Sequence, residues 1–288
     1  MKTLSRNLIP EDFSYYRTAS KVFRDYYEKY TGLIIGTLGK YNGFFIAFHV
    51  LPYFWSITSE KHDEEITREK LRSVGIPHGI VFWTPHRRIE KPKGWWRVPT
   101  WFTKWNIHSS RSAFSILDRA DYWNKWSSSA RAHRRHMLEN IGNGTIRIEK
   151  NASIRDFLSL YRNTKIHDPN KGFVSRMTEK LFQENIENYR VYIISVNGHP
   201  LAGAVFIDEG VTSEYWASFY HDDSRPYHLG IAMMDAWFLD SYEKGIKYCD
   251  LDHMRDRGQS FSYAGYTKFK ESIADYDVYF HDMWVKIF

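Results

Sequence analysis

Cysteine is almost absent from this sequence, since Cys249 is the only one among 288 residues. A single thiol forms no internal disulfide, and it cannot supply the several sulfur ligands of a Cys-rich zinc site. Because Cys249 lies in an apolar stretch, we expect its side chain to be buried and unreactive. A chain without disulfides also suits the reducing conditions of the cytoplasm.

Long apolar runs are missing as well. No stretch approaches the roughly 18 apolar residues of a membrane-spanning helix, and the longest candidate, residues 43–55, contains His49 and Pro52. The first residues include no apolar segment of signal-peptide length. The sequence therefore predicts a cytoplasmic protein with no transmembrane segment.

The excess of positive charge is small, with 40 Lys and Arg against 34 Asp and Glu, a net charge of +6. Such a balance permits an anionic partner without requiring one. The placement of the charge is more informative, because basic residues gather within residues 87–104 and 131–135. Arg131, Arg134 and Arg135 follow helical spacing, and this cluster either contacts nucleic-acid phosphates or forms a solvated helix face.

Aromatic residues, in contrast, are abundant and make up 17% of the chain. Two interpretations of the segment richest in tryptophan, residues 85–126, stay open. It packs in the core and between domains, or it forms an aromatic, cationic surface that contacts a membrane or stacks on single-stranded nucleic acid. The segment holds six of the 11 tryptophans, namely Trp95, Trp96, Trp101, Trp105, Trp123 and Trp126.

The hydrophobic pattern predicts both strands and helices. Residues 145–288 predict the order β-α-α-β-β-β-α-β, followed by a helix and a terminal strand, which is typical of an α+β fold rather than of a doubly wound parallel sheet. We place the domain boundary near Gly144, between residues 1–144 and residues 145–288. In the first half, the pattern predicts a helix over residues 18–30, a hairpin turning at Tyr41-Asn42-Gly43, and a helix over residues 119–138. In the second half, it predicts helices starting at Ser153 and Thr178, a helix over residues 227–244, and a terminal strand over residues 278–288.

The last 60 residues carry a resemblance to a known family. The segment PYHLGIAMMDAWFLDSYEKGIKYCDLD is followed by SYAGYTKFKESI, in which a Gly-x-x-x-Phe-Lys element runs from Gly265 to Lys270. In its order and spacing this region resembles the Fem family of aminoacyl-tRNA-dependent transferases and related GNAT-type acyltransferases. The resemblance covers most of residues 120–288. It implies two GNAT-like domains in tandem, of which the N-terminal one, residues 1–144, is degenerate and the second, residues 145–288, is catalytic.

The resemblance implies an enzyme, an N-acyltransferase that moves an acyl or aminoacyl group from an activated ester to an acceptor amine. In the Fem form the donor is aminoacyl-tRNA, contacted here by Arg131, Arg134 and Arg135, and the acceptor is a peptidoglycan precursor or another peptide amine. No cofactor is expected beyond acyl-CoA as a co-substrate. One alternative is a GNAT-type enzyme that uses acyl-CoA or acyl carrier protein, and another is a non-enzymatic binding module that kept the fold.

The donor-binding loop is expected within residues 224–232, SRPYHLGIA. In GNAT proteins this loop binds pyrophosphate through backbone N–H groups at a helix N-terminus. The family pattern Arg/Gln-x-x-Gly-x-Gly/Ala is incomplete here, because one glycine is left, and this departure favours aminoacyl-tRNA over acetyl-CoA. An ordinary helix start is the alternative. The candidate donor-binding residues are Arg225, His228, Leu229, Gly230 and Ala232.

The candidate catalytic residues are Lys270, Phe269, Asp250 and Asp252. The resemblance implies that Lys270 lies near the acyl-transfer centre, where a fixed cation stabilises an oxyanion or a phosphate, and that Phe269 forms a wall of the same site. Alternatively, Phe269 is a core residue and Lys270 a solvated lysine at a strand end. Asp250 and Asp252 are expected to share one face of a strand, and one of them orients the acceptor amine or acts as a base. A metal site with His253 is disfavoured, because three ligands within four strand residues do not converge.

Overall fold

The structure is a computed structural model, and it describes part of the chain. The described residues are 2–4, 34–38, 43–51, 54–59, 66–73, 76, 78–84, 90–98, 111–164, 171–184, 188–254, 264–279 and 284–288. Within them, the strands are β1 (Lys2–Leu4), β2 (Ile34–Leu38), β3 (Gly43–Leu51), β4 (Phe54–Ser59), β5 (Ile80–Thr84), β6 (Trp96–Arg97), β7 (Arg111–Ile116), β8 (Ile146–Lys150), β9 (Tyr189–Val196), β10 (His199–Glu209), β11 (Thr212–Tyr220), β12 (Tyr248–Met254), β13 (Tyr276–Tyr279) and β14 (Trp284–Ile287).

Six α-helices and two 3-10 helices lie in the same described residues. The α-helices are α1 (Arg68–Ser73), α2 (Ser128–Gly142), α3 (Ile154–Asn163), α4 (Lys171–Glu184), α5 (Leu229–Glu243) and α6 (Ala264–Ile273), and the 3-10 helices are Tyr122–Lys125 and Asp222–Tyr227. None of these helices is long and apolar enough to cross a membrane.

The strands form two mixed sheets. The larger sheet has the order β1-β13-β7-β12-β11-β10-β9-β8, and the smaller one has the order β2-β3-β4-β5-β14-β6. Both sheets take strands from both sides of Gly144, because β1 and β7 join the larger sheet and the C-terminal β14 joins the smaller one. In both sheets, strands from before Gly144 pair with strands from after it. The domain boundary near Gly144 stays a prediction.

The larger sheet is covered on both faces. Along β10, Ala202, Ala204 and Phe206 belong to the core cluster under α5 and α2. The alternate residues Val205 and Ile207 belong to the cluster under α3 and α4. This is the two-residue period of a strand, and because both faces are covered, β10 has no solvated side in its middle. Because helices cover both faces of the larger sheet, β11 and β12 lie between two helical layers.

Helix α5 is apolar nearly all round, with ten of its 15 residues buried. A helix of this kind has to pack on several neighbours at once, and α5 contacts β9, β10, β11 and α2. The stripe predicted over residues 227–244 is therefore part of a fully buried helix. Its first residues, Leu229 and Ala232, point into the core.

Two predicted helix starts are wrong. The helix predicted over residues 119–138 begins at Ser128, since the Ser127 side chain caps it by accepting a hydrogen bond from the Ala130 N–H at 3.2 Å. The helix predicted from Thr178 begins at Lys171, and the Thr178 hydroxyl donates to the Val174 carbonyl at 2.7 Å. Thr178 is thus a mid-helix residue bonded to its own helix rather than a cap.

Two other predicted elements agree with the structure, and a third agrees in part. Ser153 caps α3 by accepting from the N–H groups of Arg155 and Asp156. Strands β2 and β3 pair as the predicted hairpin, with Leu38 opposite Gly43, although Tyr41 and Asn42 lie outside the described residues, as does the predicted helix over 18–30. The single terminal strand predicted over 278–288 is two strands, β13 and β14, which belong to different sheets.

Candidate active site

The larger sheet opens where β11 and β12 separate. These neighbours are parallel, but they pair only from Thr212 opposite Tyr248 to Glu214 opposite Asp250. Beyond this point β11 stays with β10 as far as Tyr220, and β12 continues beside β7. The divergence lies at the C-terminal ends of two parallel strands, which is where ligands enter sheets of this kind.

A β-bulge in β11 lies beside the divergence. Val205 of β10 pairs with Ala217, whereas Phe206 pairs with Tyr215, so Trp216 is the extra residue. The Trp216 indole N–H donates to the Thr178 hydroxyl at 2.8 Å, which fixes the bulge against α4. Bulges are frequent beside active sites because they redirect a strand.

Asp250 is the last residue of β12 that pairs with β11, and its carboxylate is buried. The Ser112 hydroxyl of β7 donates to it at 2.7 Å, and the Asp252 N–H donates to the same oxygen at 2.8 Å. Burial and the neighbouring Asp252 carboxylate raise the pKa of Asp250 to about 6, while Ser112 and the Lys270 ammonium act in the opposite direction. Asp250 therefore changes charge close to neutral pH.

Asp252 does not continue the strand geometry that the sequence predicts. Its φ is 65°, in the left-handed region, and the register with β7 shifts between Asp250 and His253. The alternation from which the sequence predicts that Asp250 and Asp252 share one strand face is therefore interrupted here, and the shared face stays a prediction. The two carboxylates are nevertheless close enough to interact electrostatically.

Lys270 approaches this centre from α6. The residue is 1% exposed, so the alternative of a solvated lysine at a strand end is excluded. Its Nζ donates a hydrogen bond to the Tyr266 hydroxyl and lies 3.8 Å from the centroid of the Tyr266 ring. A buried ammonium requires such partners. Helix α6 packs on β12, and the Lys270 charge favours the ionised form of the Asp250 carboxyl.

Two tyrosines of β11 border the same centre. The Tyr215 and Tyr220 hydroxyls are 2.9 Å apart. Burial raises the pKa of Tyr215 to about 12, with Asp252 contributing, and burial also raises the pKa of Tyr220 far above its usual value. Both tyrosines are thus neutral hydrogen-bonding groups, and Asp252 acts on the pKa of Tyr215 while Tyr266 acts on that of Tyr220.

The predicted donor loop meets α6 at one close contact. A Cβ on Gly230 would lie 3.3 Å from two atoms of the Phe269 ring, so glycine permits this approach. Phe269 is half-buried and packs against the core that includes Leu229. The structure therefore brings the donor loop and the Lys270 element together. The Leu229 and Ala232 side chains are fully buried in the core, so these two candidate donor-binding residues could contact a donor only through their backbone.

Three histidines gather at the start of α5. The His228 ring stacks on His133 of α2 with centroids 4.0 Å apart, and the His136 ring meets its edge at 5.5 Å. Burial, and then the two neighbouring rings, lower the pKa of His228. Arg225, in the preceding 3-10 helix, is exposed and pairs with Asp222 at 2.9 Å. Among the described residues, no three His, Cys, Asp or Glu side chains are placed to hold a metal ion.

The basic cluster of α2 divides into two kinds of residue. Arg131 and Arg135 are exposed, as an RNA contact requires. Arg134 instead donates to the Asp235 carboxylate at 2.6 Å and lies 4.0 Å from the Trp123 ring centroid. The assignment of Arg134 to tRNA is therefore corrected, because its guanidinium joins α2 to α5.

A basic cavity lies between α3 and α4. It has a volume of about 350 Å³ and is lined by Arg162, Lys171, Gly172, Ser175 and Arg176. The Arg162 guanidinium donates to the Ser175 hydroxyl at 2.6 Å and pairs with Glu179 at 2.7 Å. Lys171 donates to the Thr164 carbonyl. The Thr164 hydroxyl, at the end of α3, lies 3.5 Å from the His221 Nε2, and His221 directly follows β11.

Sequence reasoning missed four groups of this centre, namely Ser112, Tyr215, Tyr220 and Tyr266. Tyr266 lies inside the Gly265–Lys270 element, one helical turn before Lys270, and that i, i+4 spacing was the available signal. The other three read as ordinary strand residues, since only the tertiary pairing of β7, β11 and β12 brings them together. Cys249 is buried as expected, and burial raises the pKa of its thiol.

Residues 125–270, just over half of the chain, match the acetyltransferase (GNAT) domain family. No curated protein matches the sequence. Among solved structures, FemX superposes with a TM-score of 0.62 and 11% identity over 91% of this chain and 90% of its own. A conserved protein of unknown function from Bacteroides thetaiotaomicron gives 0.63 and 10%, over 92% and 89%. L-PGS from Bacillus licheniformis gives 0.54 and 12%, over 88% and 83%.

Proposed function

Since this chain belongs to the acetyltransferase (GNAT) domain family and is therefore an acyltransferase, we propose that it moves an aminoacyl group from aminoacyl-tRNA to an acceptor amine. The fold expected from the Fem-like resemblance, α+β with two GNAT-like units, is confirmed by this membership and by the superposition on FemX. The alternative of a non-enzymatic binding module is not retained. The identities of the donor and of the acceptor are proposals.

One observation supports the proposed chemistry, namely that α6, with the buried Lys270, packs on β12, with the buried Asp250, beside the divergence of β11 and β12. In aminoacyl transfer the acceptor nitrogen forms a bond to the ester carbonyl carbon, and the bond from that carbon to the ester oxygen breaks. The Lys270 ammonium stabilises the negative charge that develops on the carbonyl oxygen. Asp250, ionised above a pH of about 6, holds the amine and accepts its proton, which leaves with the ester oxygen as a hydroxyl.

The shape of the loop before α5 supports tRNA over acyl-CoA as the donor. The loop keeps one glycine, Gly230, and that glycine is occupied by its contact with Phe269. His228 fills the start of the helix and stacks on α2. Exposed Arg131 and Arg135 lie on α2, where phosphates of a large donor can pair with them. Acyl-CoA or acyl carrier protein stays the alternative donor, because the family membership is compatible with it.

The basic cavity supports an acceptor that carries a negative charge besides its amine. Arg162, Lys171 and Arg176 converge there, and arginine is well suited to carboxylate and phosphate groups. Peptidoglycan precursors, which the sequence resemblance suggests, combine an amine with such groups. The cytoplasm, where charged tRNA is found, is the proposed location.

The test is a comparison of thermal unfolding with two donors. A stable aminoacyl-tRNA analogue and acetyl-CoA are each added over the same range of rising concentrations, and a ligand that reaches 100 times its dissociation constant adds about 2.7 kcal/mol to the free energy of unfolding. We expect stabilisation by the tRNA analogue, which weakens in the paired variant Arg131→Gln, Arg135→Gln and is kept in the matched variant Arg147→Gln, Arg155→Gln. Stabilisation by acetyl-CoA alone would assign the chain to the CoA-dependent enzymes.

A further inference from the structure

The smaller sheet presents an apolar face to solvent near its β6 edge, on strands β5, β14 and β6. Register places Val285 opposite both Phe82 of β5 and Trp96 of β6, and Ile287 opposite Ile80. Residues directly opposite each other point to the same side of a sheet. The apolar strip, as we define it, therefore consists of Ile80, Phe82, Trp96, Val285 and Ile287.

The other side of the same strands is a closed core. Val81, Trp83 and Trp284 alternate with the residues of the apolar strip and are buried, and Trp95 packs beside Trp83 with ring centroids 5.2 Å apart. Trp95 and Trp96 are adjacent in the sequence but belong to opposite sides. The core interpretation of the tryptophan-rich segment therefore holds for Trp95, whereas Trp96 is on the solvent side and its partner stays open.

Exposure within the apolar strip is unusual for this protein. Ile287 is 66% exposed and Trp96 is 58% exposed, and these are the highest values for large apolar side chains in the part of the chain that the structure describes. Ile80, Phe82 and Val285 are half-buried and connect the two. Contiguous exposed apolar residues usually mark an interaction surface.

Two cations precede Trp96 of the apolar strip along the chain. Lys91 and Lys93 are exposed, and the turn from Pro92 to Trp95 leads from them into the edge strand β6. Glu90 is the one acidic residue within residues 90–98. By register, Arg97 and Lys286 lie on the other side of the sheet, opposite Trp284 and Val81. An exposed tryptophan preceded by two exposed lysines makes the β6 edge amphipathic and positively charged.

We propose that the apolar strip and its cations dock the protein on an anionic lipid surface. Tryptophan partitions to the membrane interface, and basic residues are attracted to anionic headgroups. The charge complementarity commits the surface to lipid, because apolar area alone would fit any partner. The proposal is independent of the donor and acceptor, since the apolar strip contains none of the residues assigned to them.

The experiment measures sedimentation of the full chain with vesicles. Vesicles of equal parts phosphatidylcholine and phosphatidylglycerol are compared with vesicles of phosphatidylcholine alone. We expect binding to the mixed vesicles, a loss of tenfold or more in Trp96→Ser, Ile287→Ser, and about fivefold per charge in Lys91→Gln, Lys93→Gln. Brominated lipids quench tryptophan at short range, so we also expect less quenching in vesicle-bound Trp96→Phe than in the parent protein.

Matched variants control for general apolar and charge effects. Leu138→Ser removes an exposed leucine on α2, and Arg147→Gln, Arg155→Gln removes two exposed charges elsewhere; both are expected to bind vesicles as the parent does. Equal binding to the two kinds of vesicle, or binding that Trp96→Ser leaves unchanged, would overturn the proposal. So would a dimer, or a complex with single-stranded RNA, that Trp96→Ser dissolves without any vesicle binding.

Discussion

At the scale of single residues, the candidate site is a small set of buried polar groups that hold one another in place. Asp250 receives hydrogen bonds from Ser112 and from the Asp252 backbone. Lys270 contacts Tyr266 through both its ring and its hydroxyl. Buried charges persist only with such partners. Their concentration at the opening of the sheet makes this cluster the candidate for the proposed reaction centre.

The pKa of Asp250 gives a prediction for the pH dependence of transfer. Because the ionised carboxylate is the active form, activity falls as the pH drops through about 6, by about tenfold per pH unit below it. In Asp250→Asn we expect activity lower by about 100-fold or more, with no dependence on pH in that range. The measurement is initial rate against pH, with circular dichroism at each pH to exclude unfolding. An unchanged acid limb in Asp250→Asn would assign the limb to another group.

The sequence suggested Lys270 and Asp250 as candidate catalytic residues, but it could not supply their surroundings. The Gly265–Lys270 element and the aspartate of a preceding strand are local features that spacing reveals. Tyr215 and Ser112 join them only through long-range strand pairing, which local periodicity does not encode. Arg134 shows the opposite case, since its spacing suggested an exposed cluster and its guanidinium instead bridges α2 and Asp235.

At the scale of elements, close packing between strands and helices fixes the position of the site. Gly203 of β10 is one such contact, because a Cβ there would lie 2.5 Å from Phe219 and 3.2 Å from Phe157. Phe219 is in β11, one residue before Tyr220. Gly230 plays a similar part between α5 and α6, because a Cβ at this position would lie 3.3 Å from the Phe269 ring.

Replacement of Gly203 therefore tests the packing of β10 on β11. We expect Gly203→Ala to lower the free energy of unfolding by about 1–3 kcal/mol, since the buried Phe219 ring has to shift. Chemical denaturation measures the effect. Gly142→Ala, at a helix end where nothing lies within 4 Å of the added Cβ, is the control and should leave stability within about 0.5 kcal/mol. Equal stability of the two variants would mean that the ring moves without cost.

Helix and strand types were predicted well, and their limits less so. Ser153 was recognised because its cap is local. The start of α4 at Lys171 was missed, since Thr178 has the composition of a cap but bonds back to Val174. The divergence of β11 and β12 and the bulge at Trp216 leave no local signal, because the register of partners sets both.

At the scale of the whole molecule, the two sheets depend on strands from distant parts of the chain. β1 pairs with β13 in the larger sheet, and β14 pairs with β5 and β6 in the smaller one. A boundary drawn along the sequence, such as the one near Gly144, does not describe these exchanges. The α+β class followed from element order, but the membership of β14 in the smaller sheet could not, since β13 and β14 read as one terminal strand.

At the scale of the whole molecule, the proposed transfer requires a cation and a carboxylate that act together at the opening of the larger sheet. The most direct measurement is the single-turnover rate of aminoacyl transfer by Lys270→Met against the parent protein, with the thermal unfolding of both recorded. Tyr266→Phe, which keeps the ammonium and removes the hydroxyl beside it, is the companion variant. The account predicts a rate about 100-fold to 1,000-fold lower in Lys270→Met, the loss typical of one removed oxyanion donor, and a smaller loss in Tyr266→Phe. A folded Lys270→Met protein that transfers at the parent rate would contradict it.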